Sequence, residues 1–180
     1  MKVKKLIKKL LRRDLTYQEK LKKKGLKYGE NFSVEGGVII DDSHCWLIDI
    51  GDNVTLAPRV HILAHDASTK KFLGFTRIGR VRIGSNVFVG ANSIILPGIE
   101  IGDNVIIGAG TVVTKNVPAG SVVVGNPARF IKSTSIYLEE QKDRMTTCRV
   151  FDESYKDGRI TNEMKTEMIN ALNGSEGYIV

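Results

Sequence analysis

Two short stretches of this 180-residue chain hold the side chains able to do chemistry. One is Asp41-Asp42-Ser43-His44-Cys45-Trp46. The other is Leu56-Ala57-Pro58-Arg59-Val60-His61-Ile62-Leu63-Ala64-His65-Asp66, where regular aliphatic spacing gives way to a polar loop running to about Arg77. Imidazole titrates near neutral pH, and a neutral one can take the proton of an attacking hydroxyl, an assistance worth about 10²- to 10⁴-fold. His65 stands where a rigid wall meets a loop, a position suited to work on a ligand; a structural loop histidine is the competing role. His61 is its rival, but it directly precedes an inward Ile62 and so falls on the outer surface. In the first stretch Asp42 can grip ligand hydroxyls or form an Asx turn. His44 can orient a ligand or close that turn, and Trp46 can stack on a ring or fill the core. A Cys45–His44 dyad would offer a covalent route.

The elements that hold these residues announce themselves by a period of six. Ile83, Val89, Ile95, Ile101, Ile107 and Val113 are all branched aliphatics, and Gly84, Gly90, Gly102 and Gly108 follow four of them. The fifth position of each hexad, Val87, Ser93, Ile99, Val105, Thr111 and Val117, is again small or branched. Ile50, Leu56 and Ile62 keep the same period earlier, and the phase slips before Ile83, so a loop at 64–77 interrupts the array. Six is neither a helical stripe nor a simple alternation. It suits short strands that each place one aliphatic in a central core and turn at a small residue, with successive turns stacked at about 4.8 Å.

Composition sets the remaining limits. Hydrophobic residues make up 42% and charged residues 26% of the chain, as in globular proteins. Cys45 and Cys148 are too few for a disulfide framework or a four-cysteine zinc cage. The net charge of +7 is local, because residues 1–27 hold 12 Lys/Arg against Asp14 and Glu19, while the rest holds 15 against 18 Asp/Glu. That distribution argues against nucleic acid as a partner. Lys8, Lys9, Arg12 and Arg13 interrupt every apolar run near the N-terminus, so secretion and membrane spanning are not expected and the chain reads as cytoplasmic. Val3, Leu6, Ile7, Leu10, Leu11 and Leu15 form a helical stripe opposite Lys and Arg. It either packs on the array or on a neighbouring subunit, or rests on anionic lipid at the inner face of the membrane through residues 1–15. Thr16 and Glu19 make a capping-box pattern, and Gly25 offers a stop. Three segments follow: a basic helical extension at 1–27, the repeat domain at 28–132, and a polar helical cap or oligomer-contact tail at 133–180 with a turn at Asp157-Gly158.

The hexads from Ile83-Gly84-Ser85-Asn86-Val87-Phe88 to Val113-Thr114-Lys115, followed by Gly125-Asn126-Pro127-Ala128-Arg129, resemble the left-handed β-helix acyltransferases of the maltose, galactoside and polysaccharide O-acetyltransferase branch. The resemblance covers roughly residues 28–132. It implies an all-β fold, a left-handed parallel β-helix with short helical extensions, against the usual right-handed crossover. It also implies a homotrimer with active sites between subunits, and acetyl-CoA as co-substrate with no metal.

Residue by residue, the resemblance makes His65 the base, although the stretch from Pro58 to His65 is two residues shorter than in the maltose and galactoside enzymes. It matches Asp42 to an acidic acceptor-holding position. Asn31-Phe32-Ser33-Val34-Glu35 resembles the acceptor-side segment, with Glu35 where relatives have asparagine. Phe88 stands where relatives often carry tryptophan beside the pantetheine arm, and the Ala91 amide where an oxyanion donor is expected, a group worth about 3 to 4 kcal/mol. Ala109, Thr114 and Lys115 match the pantetheine and adenine end; Arg129 and Lys132 match cations near the nucleotide phosphates. The implied reaction is direct acetyl transfer to a sugar hydroxyl in surface polysaccharide building, with an amino sugar, amino acid or xenobiotic as alternative acceptors. The same solenoid hosts γ-type carbonic anhydrases with three zinc-bound histidines, so a metal hydro-lyase using His44, His61 and His65 is a second reading, though their spacing does not resemble that motif. A non-catalytic scaffold is a third.

Overall fold

Each hexad forms a strand of two or three residues, too short to stand alone, so every strand depends on the turn of chain stacked against it. The computed structural model describes residues 15–156 and 158–180, leaving almost all of the apolar stripe expected at residues 1–15, and Asp157, outside the described residues. Helix α1 (Tyr17–Lys23) leads into a first turn made of β1 (Lys27–Tyr28), β2 (Ser33–Val34) and β3 (Ile39–Ile40). The second turn is β4 (Ile48–Ile50), β5 (Thr55–Leu56) and β6 (His61–Ile62). A hairpin then intervenes, β7 (His65–Asp66) and β8 (Arg77–Ile78), with the short helix α2 (Lys70–Leu73) at its tip. The third turn is β9 (Val81–Ile83), β10 (Phe88–Val89) and β11 (Ile94–Ile95). A fourth follows as β12 (Glu100–Ile101), β13 (Ile106–Ile107) and β14 (Val112–Val113), and β15 (Ser121–Val124) and β16 (Arg129–Ser133) complete the unit.

The strands visit three faces in rotation. Face A is β1-β4-β9-β12, face B β2-β5-β10-β13-β15-β16 and face C β3-β6-β11-β14. Pairing on these faces is parallel except between β15 and β16. Register gives the size of a turn: Arg82 pairs with Glu100, Phe88 with Ile106 and Ile94 with Val112, a step of 18 residues or three hexads. The aliphatics expected inside are inside. Ile50, Leu56, Ile62, Ile83, Val89, Ile95, Ile101, Ile107 and Val113 are buried, as are all six residues at the fifth position.

Two steps are longer. First-turn strands pair 22 residues ahead, as Ile39 does with His61, and second-turn strands pair 33 ahead, as Asp49 does with Arg82. Both excesses leave the chain between face C and face A, in consecutive turns. The corner between faces A and B is instead regular, with Asn31, Asn53, Asn86 and Asn104 all at φ between 53° and 57°. Asparagine tolerates this left-handed backbone, and its amides form a ladder of hydrogen bonds at 2.9, 3.1 and 3.2 Å up the stack.

Helix α1 starts with the expected capping box, Thr16 with Glu19, and gives way at Gly25, φ +110°. Its Leu21 joins Leu26, Ile40 and Cys45 in the core, and the Tyr17 hydroxyl accepts from the Ile40 amide at 2.8 Å. The repeat unit ends at Thr134 and a second compact unit spans Ser135–Val180. That second unit is not only helical. Beside α3 (Thr134–Thr147) and α4 (Asn162–Ala171) it contains a parallel pair, β17 (Arg149–Phe151) with β18 (Gly177–Ile179), around a buried Phe151. Strands of three residues are too short to leave a period in the sequence. Among the described residues no helix is long and apolar enough to cross a membrane.

Stacking leaves no room at some corners. A Cβ on Gly90 would stand 2.5 Å from the Ala109 nitrogen and 2.7 Å from the Gly108 carbonyl carbon, whereas one on Gly36 would meet nothing within 4 Å. Gly90→Ala is therefore expected to cost about 1–3 kcal/mol and lower Tm by several degrees, with Gly36→Ala within about 0.5 kcal/mol of wild type. Paired melting curves check this, and equal Tm values would contradict the stacking.

Candidate active site

The two longer excursions meet at one corner. The four extra residues of the first turn carry Asp41, Ser43 and His44, and the longer excursion above them begins at Ala64-His65. Asp41, 5% exposed, is the centre of the arrangement. One carboxylate oxygen accepts from the Ser43 amide at 3.1 Å, the Ser43 hydroxyl at 2.8 Å and the His44 amide at 3.1 Å. The other accepts from the Ala64 amide at 3.0 Å and lies 2.5 Å from His65 Nδ1. Burial by itself would raise the Asp41 carboxyl, but the hydrogen bonds from His65, Ser43 and Ala64 outweigh it and hold the group at about 2, below its ordinary 3.8. An ionised carboxylate only accepts, so the proton between them sits on His65 Nδ1. In the neutral imidazole Nε2 is then the accepting nitrogen, on a side chain 37% exposed.

His44 stands beside His65, ring centroids 5.0 Å apart, with its Nδ1 2.9 Å from the Ser43 hydroxyl. Trp46, 55% exposed, lies 5.4 Å from the His44 ring, so it borders the cluster and does not fill the core. Asp42 points elsewhere and is ion-paired with Lys24. Glu35 is exposed beside the Ser33 hydroxyl at 3.2 Å. Cys45 is fully buried, and burial pushes its thiol up, which leaves no accessible thiolate for a covalent route. His61 precedes a buried Ile62 on β6, so its side chain is on the outer side of face C. The hairpin that follows His65 is tied by Arg77 to Asp66 at 3.2 Å and carries Phe72, 85% exposed, and exposed Phe75 at its tip.

The residues matched to the acyl donor fall on two different edges. Thr114 and Lys115 are exposed after β14, on the same C-to-A corner as His65 but two turns on. Ala91 and Ala109 occupy the B-to-C corner, stacked so that the Ala91 carbonyl accepts from Gly110 at 2.8 Å. The Ala91 amide donates to no backbone acceptor among the described residues. Phe88 is exposed on face B between Thr55 and Ile106. Arg129 and Lys132 lie on β16, opposite Val124 and Val122 at the end of that face. Lys115 also lines a groove of about 380 Å³ with Pro118, Ala128 and Phe130. One hexad separates the two corners, roughly 20 Å of extended chain, so His65 and Ala91 of a single chain do not meet.

The residue types and spacing left the partner of His65 open, with Asp42 expected only on the acceptor; the structure puts Asp41 in that place. The signal was the extra length between Ile40 and Ile50, which only a complete first turn makes visible.

Residues 80–115 match the family model described as the hexapeptide repeat of succinyl-transferase. The chain is 42% identical over 142 residues to protein CapG of Staphylococcus aureus, covering 75% of this chain and 81% of that protein. Among solved structures, the maltose O-acetyltransferase of Clostridium difficile 630 is 46% identical with a TM-score of 0.53, covering 61% of this chain and 59% of that one. A galactoside acetyltransferase in complex with coenzyme A is 30% identical with a TM-score of 0.56, covering 77% of this chain and 64% of that one. With its six-residue period, three-face stacking and these likenesses together, the chain belongs to the hexapeptide-repeat acetyltransferases.

Proposed function

We propose that this protein is an acetyl-CoA-dependent O-acetyltransferase acting on a sugar hydroxyl, folded as a left-handed parallel β-helix. The observation that carries this reading is the Asp41–His65 pair at the edge of the coil, which holds His65 by Nδ1 so that the neutral ring would accept through Nε2. In this reading residues 28–132 are the catalytic domain, flanked by the extension at 1–27 and the tail at 133–180. Support for the co-substrate comes from the coenzyme A complex of the galactoside relative. Support for a sugar acceptor comes from the maltose and galactoside enzymes.

His65 Nε2 removes the acceptor hydroxyl proton as that oxygen attacks the thioester carbonyl. The carbonyl oxygen gains the negative charge, and the Ala91 N–H stabilises it. Collapse restores the carbonyl, breaks the C–S bond and releases coenzyme A thiolate, which takes the proton back from His65. Asp41 keeps the imidazole in the required tautomer and balances its charge while it is protonated. His44 and Trp46 border the acceptor side; Asp42, paired with Lys24, faces away from it, and Glu35, which follows β2 on the B-to-C corner, would reach it only from the neighbouring copy. Phe88 and Ala109 flank the pantetheine arm, Thr114 and Lys115 receive the adenine end, and Arg129 and Lys132 face the phosphates. Because His65 and Ala91 lie on opposite edges of face C, a complete site takes one edge from each of two copies, which a trimer supplies three times. The metal hydro-lyase reading needs three histidines on one ion, and outward His61 does not join the other two.

Thiol release from acetyl-CoA across a panel of sugars is expected to find a productive acceptor. His65→Ala is expected to lose about 10²- to 10⁴-fold in rate while retaining coenzyme A binding; an unchanged rate removes His65 as base. Cys45→Ala is expected to keep the wild-type rate per folded molecule, and loss of turnover would revive the covalent route. Asp41 also gives an acid signature. Its depressed folded pKa contributes stability that is fully present above about pH 4 and is lost as pH falls through 3.8 towards about 2. Urea unfolding of Asp41→Asn should therefore start from lower stability at neutral pH but decline less steeply than wild type in that window; parallel curves would refute the assignment.

A further inference from the structure

Asp41 is shared by two imidazoles. One donor atom from each of Asp41, His44 and His65 lies within 4.8 Å of the others. Both histidines turn the same nitrogen to the carboxylate, His65 Nδ1 at 2.5 Å from one oxygen and His44 Nδ1 at 3.8 Å from the other. Two imidazoles and a carboxylate form a donor set suited to zinc, which takes three protein ligands and leaves a fourth position open. The Asp41 side chain is 1% exposed while those of His44 and His65 are 28% and 37% exposed, so the cluster has a fixed anchor and an open side for entry. Amides of Ser43, His44 and Ala64 already orient the carboxylate, as outer-shell partners do for metal ligands.

We propose that Asp41, His44 and His65 form an inhibitory zinc site. Tetrahedral zinc at ordinary bond lengths holds its donors about 3.3 Å apart. The His65–Asp41 pair would open by under about 1 Å, and the remaining donor separations, all within 4.8 Å, would close by up to about 1.5 Å to reach it. Three dative bonds form as zinc gives up bound water, no electron changes hands, and the single proton of the neutral His65 ring moves from Nδ1 to Nε2. Coordination takes the nitrogen that must carry a proton when Nε2 is free. Metal-bound His65 keeps its proton on Nε2 and cannot accept another. Zinc binding and base function therefore exclude each other; this consequence rests on the proposed role of His65, while binding itself does not.

Cobalt(II) titration of the untagged full-length protein reads binding without reference to activity. The expected result is visible absorption of a low-coordinate site saturating at one equivalent per chain, displaced by zinc, with affinity in His44→Gln weakened at least about tenfold. Zinc at one equivalent is expected to stop thiol release, and EDTA to restore it. Equal cobalt affinity in wild type and His44→Gln overturns the site. Tight, His44-dependent binding with undiminished acetyl transfer overturns the inhibition and removes His65 as the base, whereas binding in a protein with no turnover on any acceptor leaves the site standing and overturns only the proposed function.

Discussion

Everything in the repeat unit follows from the closure of one turn in 18 residues, because parallel strands of two residues are stable only when the turns above and below match in register. Matching register makes inward positions interchangeable, so they are filled by Val, Leu and Ile, and makes corners crowded, so Gly90 meets the Ala109 backbone directly. A turn with surplus residues cannot absorb them in its strands without losing register with the turns stacked on it. They must leave at a corner. The chain does this twice, in consecutive turns at the C-to-A corner, and thereby lays two irregular segments side by side on a regular support.

Asp41 is what makes those two segments one site. A carboxylate taken out of water is costly unless its oxygens are fully bonded, and no single segment here supplies enough donors. Ser43 and His44 come from its own excursion, Ala64 and His65 from the next. The bonds that offset its burial also orient His65, so the stability of the carboxylate and the placement of that imidazole share one set of contacts. The same carboxylate draws the Nδ1 atoms of both His44 and His65 towards it, so one buried group organises both imidazoles.

The period of six, its inward aliphatics, the interrupting loop and the histidine at its start were legible in the sequence, since each depends on residue type and spacing along one strand of chain. So were the capping box at Thr16 and the stop at Gly25, which are local hydrogen-bond and backbone effects. The parallel pair in the C-terminal unit was not, because three-residue strands far apart in sequence carry no period. The partner of His65 was not either. Asp41 and Asp42 are chemically identical in the sequence, and only the stacking of the first turn beneath the second buries one against His65 while leaving the other to Lys24 in solvent. Residue types and spacing thus determined the coil and the place of His65; register between turns, which acts across 24 residues from Asp41 to His65, decided what that imidazole touches.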